Sequence, residues 1–216
     1  MTDVTFTLRG GDVFGLLGRS GSGKSTILNT LIGSLTPQAG QFSAEGIIGY
    51  SPQKNALYPF LTIKENLEVF GELYDVPRAE LEQRITQLLD RLDLAPHAHK
   101  RITEVSGGME KRVDLAVTLV HDPDIIILDE PFNGLDISLQ KFIWELLREL
   151  AKKGKLIIIT SHLLADVQKY CTTFGLVENN RFYGDTELRN AVQRQSGSLE
   201  AFLEQLFRRD LRMEKK

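Results

Sequence analysis

The chain has 216 residues, 42% of them apolar and 25% charged, with 26 basic against 29 acidic side chains and a formal charge of −3. These values lie in the ordinary soluble globular range and leave no electrostatic footprint for nucleic acid, so no nucleic-acid partner is expected. The single Cys171 cannot staple a fold, which points to a reducing, cytoplasmic compartment. The longest aliphatic runs, Ile125 to Leu128 and Leu156 to Ile159, fall far short of the roughly 18 residues that a membrane span needs. Met1-Thr2-Asp3 lacks the basic and apolar regions of a signal peptide, so neither membrane crossing nor secretion is expected.

Short apolar strands alternate with helical patterns along most of the chain, the order of a parallel sheet covered by helices and hence an α/β architecture. The first strand is read at Val13 to Leu17, followed by a glycine-rich loop and a helix over Lys24 to Ile32. A second strand is read at Ile47 to Tyr50. Between Thr62 and about Val120 the strand signal gives way to three helical patterns. Thr62 with Glu65 makes a capping box, Pro77 starts a helix carrying Leu81, Ile85, Leu88, Leu89 and Leu92, and Met109 to Leu119 makes the third. These predict a helical subdomain over 61–120 beside a core built from 1–60 and 121–184. The core continues with a strand at Ile125 to Leu128, a helix over Leu139 to Leu150, a strand at Leu156 to Thr160, and a hairpin in which Phe174 to Val177 and Arg181 to Tyr183 flank Asn179-Asn180. A helical tail is expected over 185–216, with Leu199, Phe202, Leu203, Leu206 and Phe207 on one face of a helix from Ser198 to Arg212.

Gly18-Arg19-Ser20-Gly21-Ser22-Gly23-Lys24-Ser25 matches the phosphate-binding pattern G-x-x-x-x-G-K-[ST] and lies between a predicted strand and a predicted helix. Its glycines let backbone N–H groups turn inward, the helix start adds partial positive charge, Lys24 neutralises the outer phosphates, and the Ser25 hydroxyl can bind Mg²⁺. The run Ile125-Ile126-Ile127-Leu128-Asp129-Glu130 ends in two acids at the sheet edge where open α/β folds bind ligands. Adjacent carboxylates on a strand point in different directions, so Asp129 is expected to hold Mg²⁺ and Glu130 to polarise an attacking water. Loop and acids together predict a nucleotide triphosphatase that uses Mg²⁺. Val105-Ser106-Gly107-Gly108-Met109 opens the third helix as a second anion-binding start, one that a head-to-tail dimer would set against a γ-phosphate held by the other copy.

With these residues in order, the sequence closely resembles the ATP-binding subunit of ATP-binding cassette (ABC) transporters over nearly its whole length. The matching elements are the phosphate loop Gly18 to Thr26, the glutamine loop Ser51-Pro52-Gln53, the signature Val105 to Met109, the acids Asp129-Glu130, the D-loop Gly134-Leu135-Asp136 and the switch histidine in Thr160-Ser161-His162. The resemblance implies a P-loop NTPase fold, with a RecA-like, mainly parallel sheet, an inserted helical subdomain and a small antiparallel part. It implies that Gln53 touches Mg²⁺ or the attacking water, that His162 contacts the γ-phosphate, and that Ser106, Gly107, Gly108 and Asp136 serve the partner's site. Partners so implied are a second copy or a homologous ATPase subunit and an integral membrane permease, on the cytoplasmic face of the membrane.

Leu61 to Leu67, the turn Leu73 to Pro77, the Gly-Gly-Met signature and Ser198 to Leu203 resemble the ABC-2-type group, which implies export of drugs, antibiotics, polysaccharides or sodium. Val105 and Met109 depart from the usual Leu and Gln of the signature and are read as subgroup features. Only 17 residues precede Gly18, where the family carries strands and an adenine-stacking aromatic. Phe6 is read as a core residue, so two expectations stand: a shortened start, or a pocket open on the base side with weak or base-indifferent affinity. Two alternatives remain at this point: a soluble, non-transport ABC ATPase, and a weakly hydrolytic, nucleotide-responsive interaction module. His97 and His99 are read as surface, the basic C-terminal residues as a solvated helix end, and Cys171 as a packed small residue.

Overall fold

In the computed structural model, residues 4–162 and 164–194 are described. In chain order they form β1 (Val13–Gly18), α1 (Lys24–Leu31), β2 (Ile48–Ser51), α2 (Ile63–Leu73), α3 (Arg78–Arg91), α4 (Gly107–Leu119), β3 (Ile125–Leu128), α5 (Ile137–Lys152), β4 (Leu156–Ser161), α6 (Leu164–Tyr170), β5 (Thr173–Glu178), β6 (Arg181–Tyr183) and α7 (Asp185–Arg194). The sheet runs β2-β3-β4-β1-β5-β6, with β6 antiparallel to β5 and every other pairing parallel. This is the α/β, mainly parallel P-loop fold read from the sequence.

The strands are apolar on successive residues because both faces are covered. Phe14, Leu16, Ile125, Ile127 and Ile158 pack with Ile27, Leu28 and Leu31 of α1 on one face. Val13, Ile126, Leu128, Ile157 and Ile159 pack on the other in a cluster that continues into α2, α3, α4 and α5. Phe6, ahead of β1, is half-buried, its ring 5.2 Å from that of Phe14 and 5.5 Å from that of Phe182.

The helical segment forms as its caps dictate. Thr62 Oγ1 accepts from the Glu65 N–H at 3.2 Å while Glu65 Oε2 accepts from the Thr62 N–H at 2.7 Å. Ile63, Leu67, Leu81, Ile85, Leu89 and Leu92 close this part of the core. Helix α4 starts at Gly107, within the Val105 to Met109 segment read as its opening, and Ser106 caps it by accepting from the Met109 N–H at 3.3 Å. Its later half, Val113 to Leu119, is buried throughout and lies against β2, where a Cβ on Gly49 would come within 2.5 Å of the Thr118 carbonyl oxygen.

One strand boundary shifts and one helix is added. Ile47 falls outside β2 because the Asp124 carboxylate takes its N–H at 2.9 Å, so the strand runs from Ile48 to Ser51. Helix α6 was not foreseen; at seven residues with Val167 its one buried side chain, it is too short to show a period. The hairpin forms as expected, with φ of 48 at Asn179 and 60 at Asn180, as a two-residue turn of this hand requires. The expected helix from Ser198 to Arg212 lies outside the described residues. Among the described residues no helix is long and apolar enough to cross a membrane.

Candidate functional site

Parallel pairing brings the C-terminal ends of four neighbouring strands to one sheet edge. Across that edge β2 leads to Gln53, β3 to Asp129 and Glu130, β4 to His162, and β1 to the Gly18–Ser25 loop.

In the loop, Gly21 and Gly23 hold φ of 79 and 107, a left-handed backbone that ordinary side chains disfavour. Helix α1 then starts at Lys24 without a side-chain cap, which leaves its first N–H groups to a ligand. Among the described residues the Ser22 hydroxyl is buried with no hydrogen-bond partner. Lys24 is 5% exposed, and its ammonium donates to the Gly18 carbonyl at 2.8 Å and the Arg19 carbonyl at 3.1 Å while lying 3.4 Å from Glu130 Oε1. Arg19, Ser20, Ser25 and Thr26 are exposed along the rim.

The two acids diverge for a reason other than strand alternation. Leu128 is the last residue of β3, and Glu130 turns away with a φ of 48, a left-handed conformation uncommon outside glycine. The Glu130 N–H donates to Thr160 Oγ1 at 2.7 Å, and that hydroxyl donates to Asp129 Oδ1 at 2.5 Å. Asn133 Nδ2 donates to Glu130 Oε2 at 2.5 Å, and His162 Nδ1 lies 3.7 Å from the same oxygen. The turn that carries Glu130 is anchored from below by stacked rings, Phe132 to Trp144 at 4.5 Å and Trp144 to Tyr170 at 4.6 Å. Burial, with the Asp129 carboxylate adding, pushes the Tyr50 phenol above its ordinary value.

The donor set fits Mg²⁺. Ser25 Oγ and Asp129 Oδ2 are 3.2 Å apart, a hydroxyl and one carboxylate oxygen converging beside the Gly18–Ser25 loop. Mg²⁺ is bound in such sites by one or two protein oxygens together with phosphate oxygens and water. Among the described residues no cluster of three or more His, Cys, Asp or Glu forms a metal cage.

The remaining residues lie apart from this cluster. Gln53 is exposed in the loop after β2, with no hydrogen bond to Asp129 among the described residues. Ser106 and Gly107 are exposed at the start of α4, and Gly108 is half-buried near Leu139. Asp136 caps α5, accepting from the Leu139 N–H at 3.0 Å. His97 lies in a 3-10 turn over Ala95–His97. Sequence reasoning missed Thr160 and Asn133. A threonine at the end of a buried strand and an asparagine in a turn carry no pattern, and their roles are visible only once β3 and β4 are paired.

A family model described as ABC transporter matches residues 1–133. The chain belongs to the ABC transporter family. Among curated relatives of this ABC chain, a Nod factor export ATP-binding protein I of Ralstonia nicotianae is 36% identical over 190 residues, covering 82% of this chain and 59% of that protein. Another, from Neorhizobium galegae, is 38% identical over 194 residues, covering 84% of this chain and 56% of that protein. The chain therefore spans a little over half the length of these two relatives. A solved ATP-binding subunit of an ABC transporter superposes with a TM-score of 0.85 at 29% identity, covering 95% of this chain and 92% of that one.

Proposed function

We propose that this chain hydrolyses ATP in a head-to-tail dimer and so drives export through a separate membrane permease. The observation that carries the reading is the convergence of Lys24, Ser25, Asp129, Glu130 and His162 at the ends of three adjacent strands, linked by contacts of 3.2 to 3.7 Å. Family membership and relatives named as export ATP-binding proteins support it.

Lys24 exchanges the Gly18 and Arg19 carbonyls for the β- and γ-phosphates, which the loop N–H groups and the start of α1 also hold. Ser25 and Asp129, together with Gln53, would hold Mg²⁺, which would supply charge neutralisation at the phosphate oxygens. Glu130 orients a water in line with the γ-phosphate and takes its proton, and His162 donates to the γ-phosphate from the other side of the same carboxylate. Ser106, Gly107 and Gly108 of the second copy, with Asp136 beside them, close the site over the γ-phosphate. Phosphoryl transfer depends on positioning and charge stabilisation, so half a site turns over slowly and dimer closure gates the rate.

The permease docks beside the Gln53 loop, where Tyr58 is 46% and Phe60 79% exposed. That surface is held in shape by Asn66, which is buried and bonds Tyr58 through both its N–H and its carbonyl. Such a partner places the chain on the cytoplasmic face of a membrane.

The test is Mg²⁺-dependent release of phosphate from ATP by the purified chain, alone and with membranes carrying its permease. The reading expects hydrolysis that Lys24→Ala abolishes together with triphosphate affinity. Unchanged ATP binding in Lys24→Ala contradicts it.

A further inference from the structure

Away from the acids, an ion pair lies buried between the glutamine loop and the signature helix. Lys111 and Asp114, one turn apart on α4, are 9% and 2% exposed, and Lys111 Nζ donates to Asp114 Oδ2 at 2.8 Å. Both reach the last residue of β2. Ser51, fully buried, donates its hydroxyl proton to Asp114 and accepts from Lys111 Nζ at 3.1 Å. The same ammonium lies 3.5 Å from Asn55 Oδ1, and Asn55 Nδ2 donates to Glu110 Oε1 at 3.1 Å. Gln53 sits midway between Ser51 and Asn55, so the loop that carries it is tied to α4 on both sides.

Burying a charged pair costs desolvation that its own attraction barely offsets, and an apolar pair of similar size would serve stability as well or better. A polar pair satisfied in this way gains direction: each hydrogen bond fixes the loop in one register against the helix. The other end of α4 is Ser106 to Gly108, one to two turns before Lys111 and Asp114.

We propose that Lys111, Asp114 and Asn55 are positioning residues that lock the Gln53 loop to the signature helix. Movement at Ser106 to Gly108, which address one nucleotide, thereby sets the position of Gln53 at the other. This rests on the functional reading of Gln53 and the signature given above. The latch itself is a property of one chain and is measurable without turnover.

The experiment compares wild type, Asn55→Ala and the paired replacement Lys111→Met with Asp114→Leu, which removes both buried charges at once. The first readout is hydrogen exchange at the amides of residues 53–56. We expect exchange there to rise about tenfold or more in both variants, with the β1 and β3 amides unchanged. The second readout is ATP turnover, where kcat is expected to fall about tenfold while KM for ATP stays within about twofold, because the loop is displaced and the phosphate grip is not. Wild-type exchange at 53–56 in a folded variant overturns the latch. A rise in KM for ATP with kcat intact also overturns it, since the loop would then serve affinity alone. If the paired replacement does not fold, Asn55→Ala, at a half-buried loop position, decides the matter by the same exchange readout. A wild-type chain without ATPase activity would count against the functional reading and leave the exchange result to judge the latch.

Discussion

Thr160 Oγ1 bonds both acids of the site, accepting the Glu130 N–H at 2.7 Å and donating to Asp129 Oδ1 at 2.5 Å. One hydroxyl therefore holds Glu130 in its left-handed conformation and fixes the rotation of the Asp129 carboxylate. Thr160→Val keeps the shape of the side chain and removes both bonds. We expect kcat to fall about ten- to a hundredfold with KM for ATP within about threefold, because the grip on the phosphates is untouched. Thr160→Ser, which keeps the hydroxyl, is expected to restore most of the rate; a valine variant with wild-type kcat contradicts this role.

Asn133 holds the other end of the same side chain through Glu130 Oε2, the oxygen that faces His162. Asn133→Ala frees that oxygen without touching a phosphate-binding group. A three- to tenfold loss of kcat is expected, about what one ordinary intramolecular hydrogen bond is worth, with ATP affinity measured by titration unchanged.

Cys171 lies between α6 and the sheet, where burial, with the Asp166 carboxylate adding, pushes its thiol up to about 12. Alkylation proceeds through the thiolate, which is then about one part in ten thousand at pH 8. Iodoacetamide should label the native chain at least about a hundredfold more slowly than the urea-unfolded chain at that pH. Equal rates contradict the packing described for this residue.

His121 is 5% exposed and its ring stacks on that of Tyr74 at 3.7 Å with planes 3° apart. Burial, with the Arg84 charge adding, holds its imidazole below the ordinary 6.5, against a smaller opposing pull from the Ile48 backbone and Asp122. The unfolded chain therefore takes up the proton first as pH falls. The contribution of the neutral ring is complete above about 6.5 and is lost as pH drops below it. Urea midpoints measured at pH 7.5 and 5.5 should fall for wild type, and should fall less for His121→Gln. Equal pH dependence in the two contradicts the burial of a neutral ring.

The alternation of strands and helices was legible because buried parallel strands are apolar on every residue, and the Thr62–Glu65 box and the Asn179-Asn180 turn were legible because each is a local chemical pattern. The acids were legible as a pair, yet the basis of their divergence was not. That depends on φ at Glu130 and on Thr160, thirty residues away on a neighbouring strand, and no spacing rule encodes a contact made through strand pairing. The same holds for Lys111 and Asp114. On α4 they read as an ordinary pair at helical spacing, and only the approach of Ser51 at the end of β2 makes them a buried network.

The central claim, that Glu130 is the base of an ATPase completed by a second copy, is tested most directly by Glu130→Gln in the presence of Mg²⁺ and ATP. The account predicts that this variant binds ATP as wild type does, loses at least about a hundredfold in turnover, and elutes from size exclusion as a nucleotide-trapped dimer. Wild-type hydrolysis by Glu130→Gln, or a variant that binds ATP and remains monomeric, would contradict it.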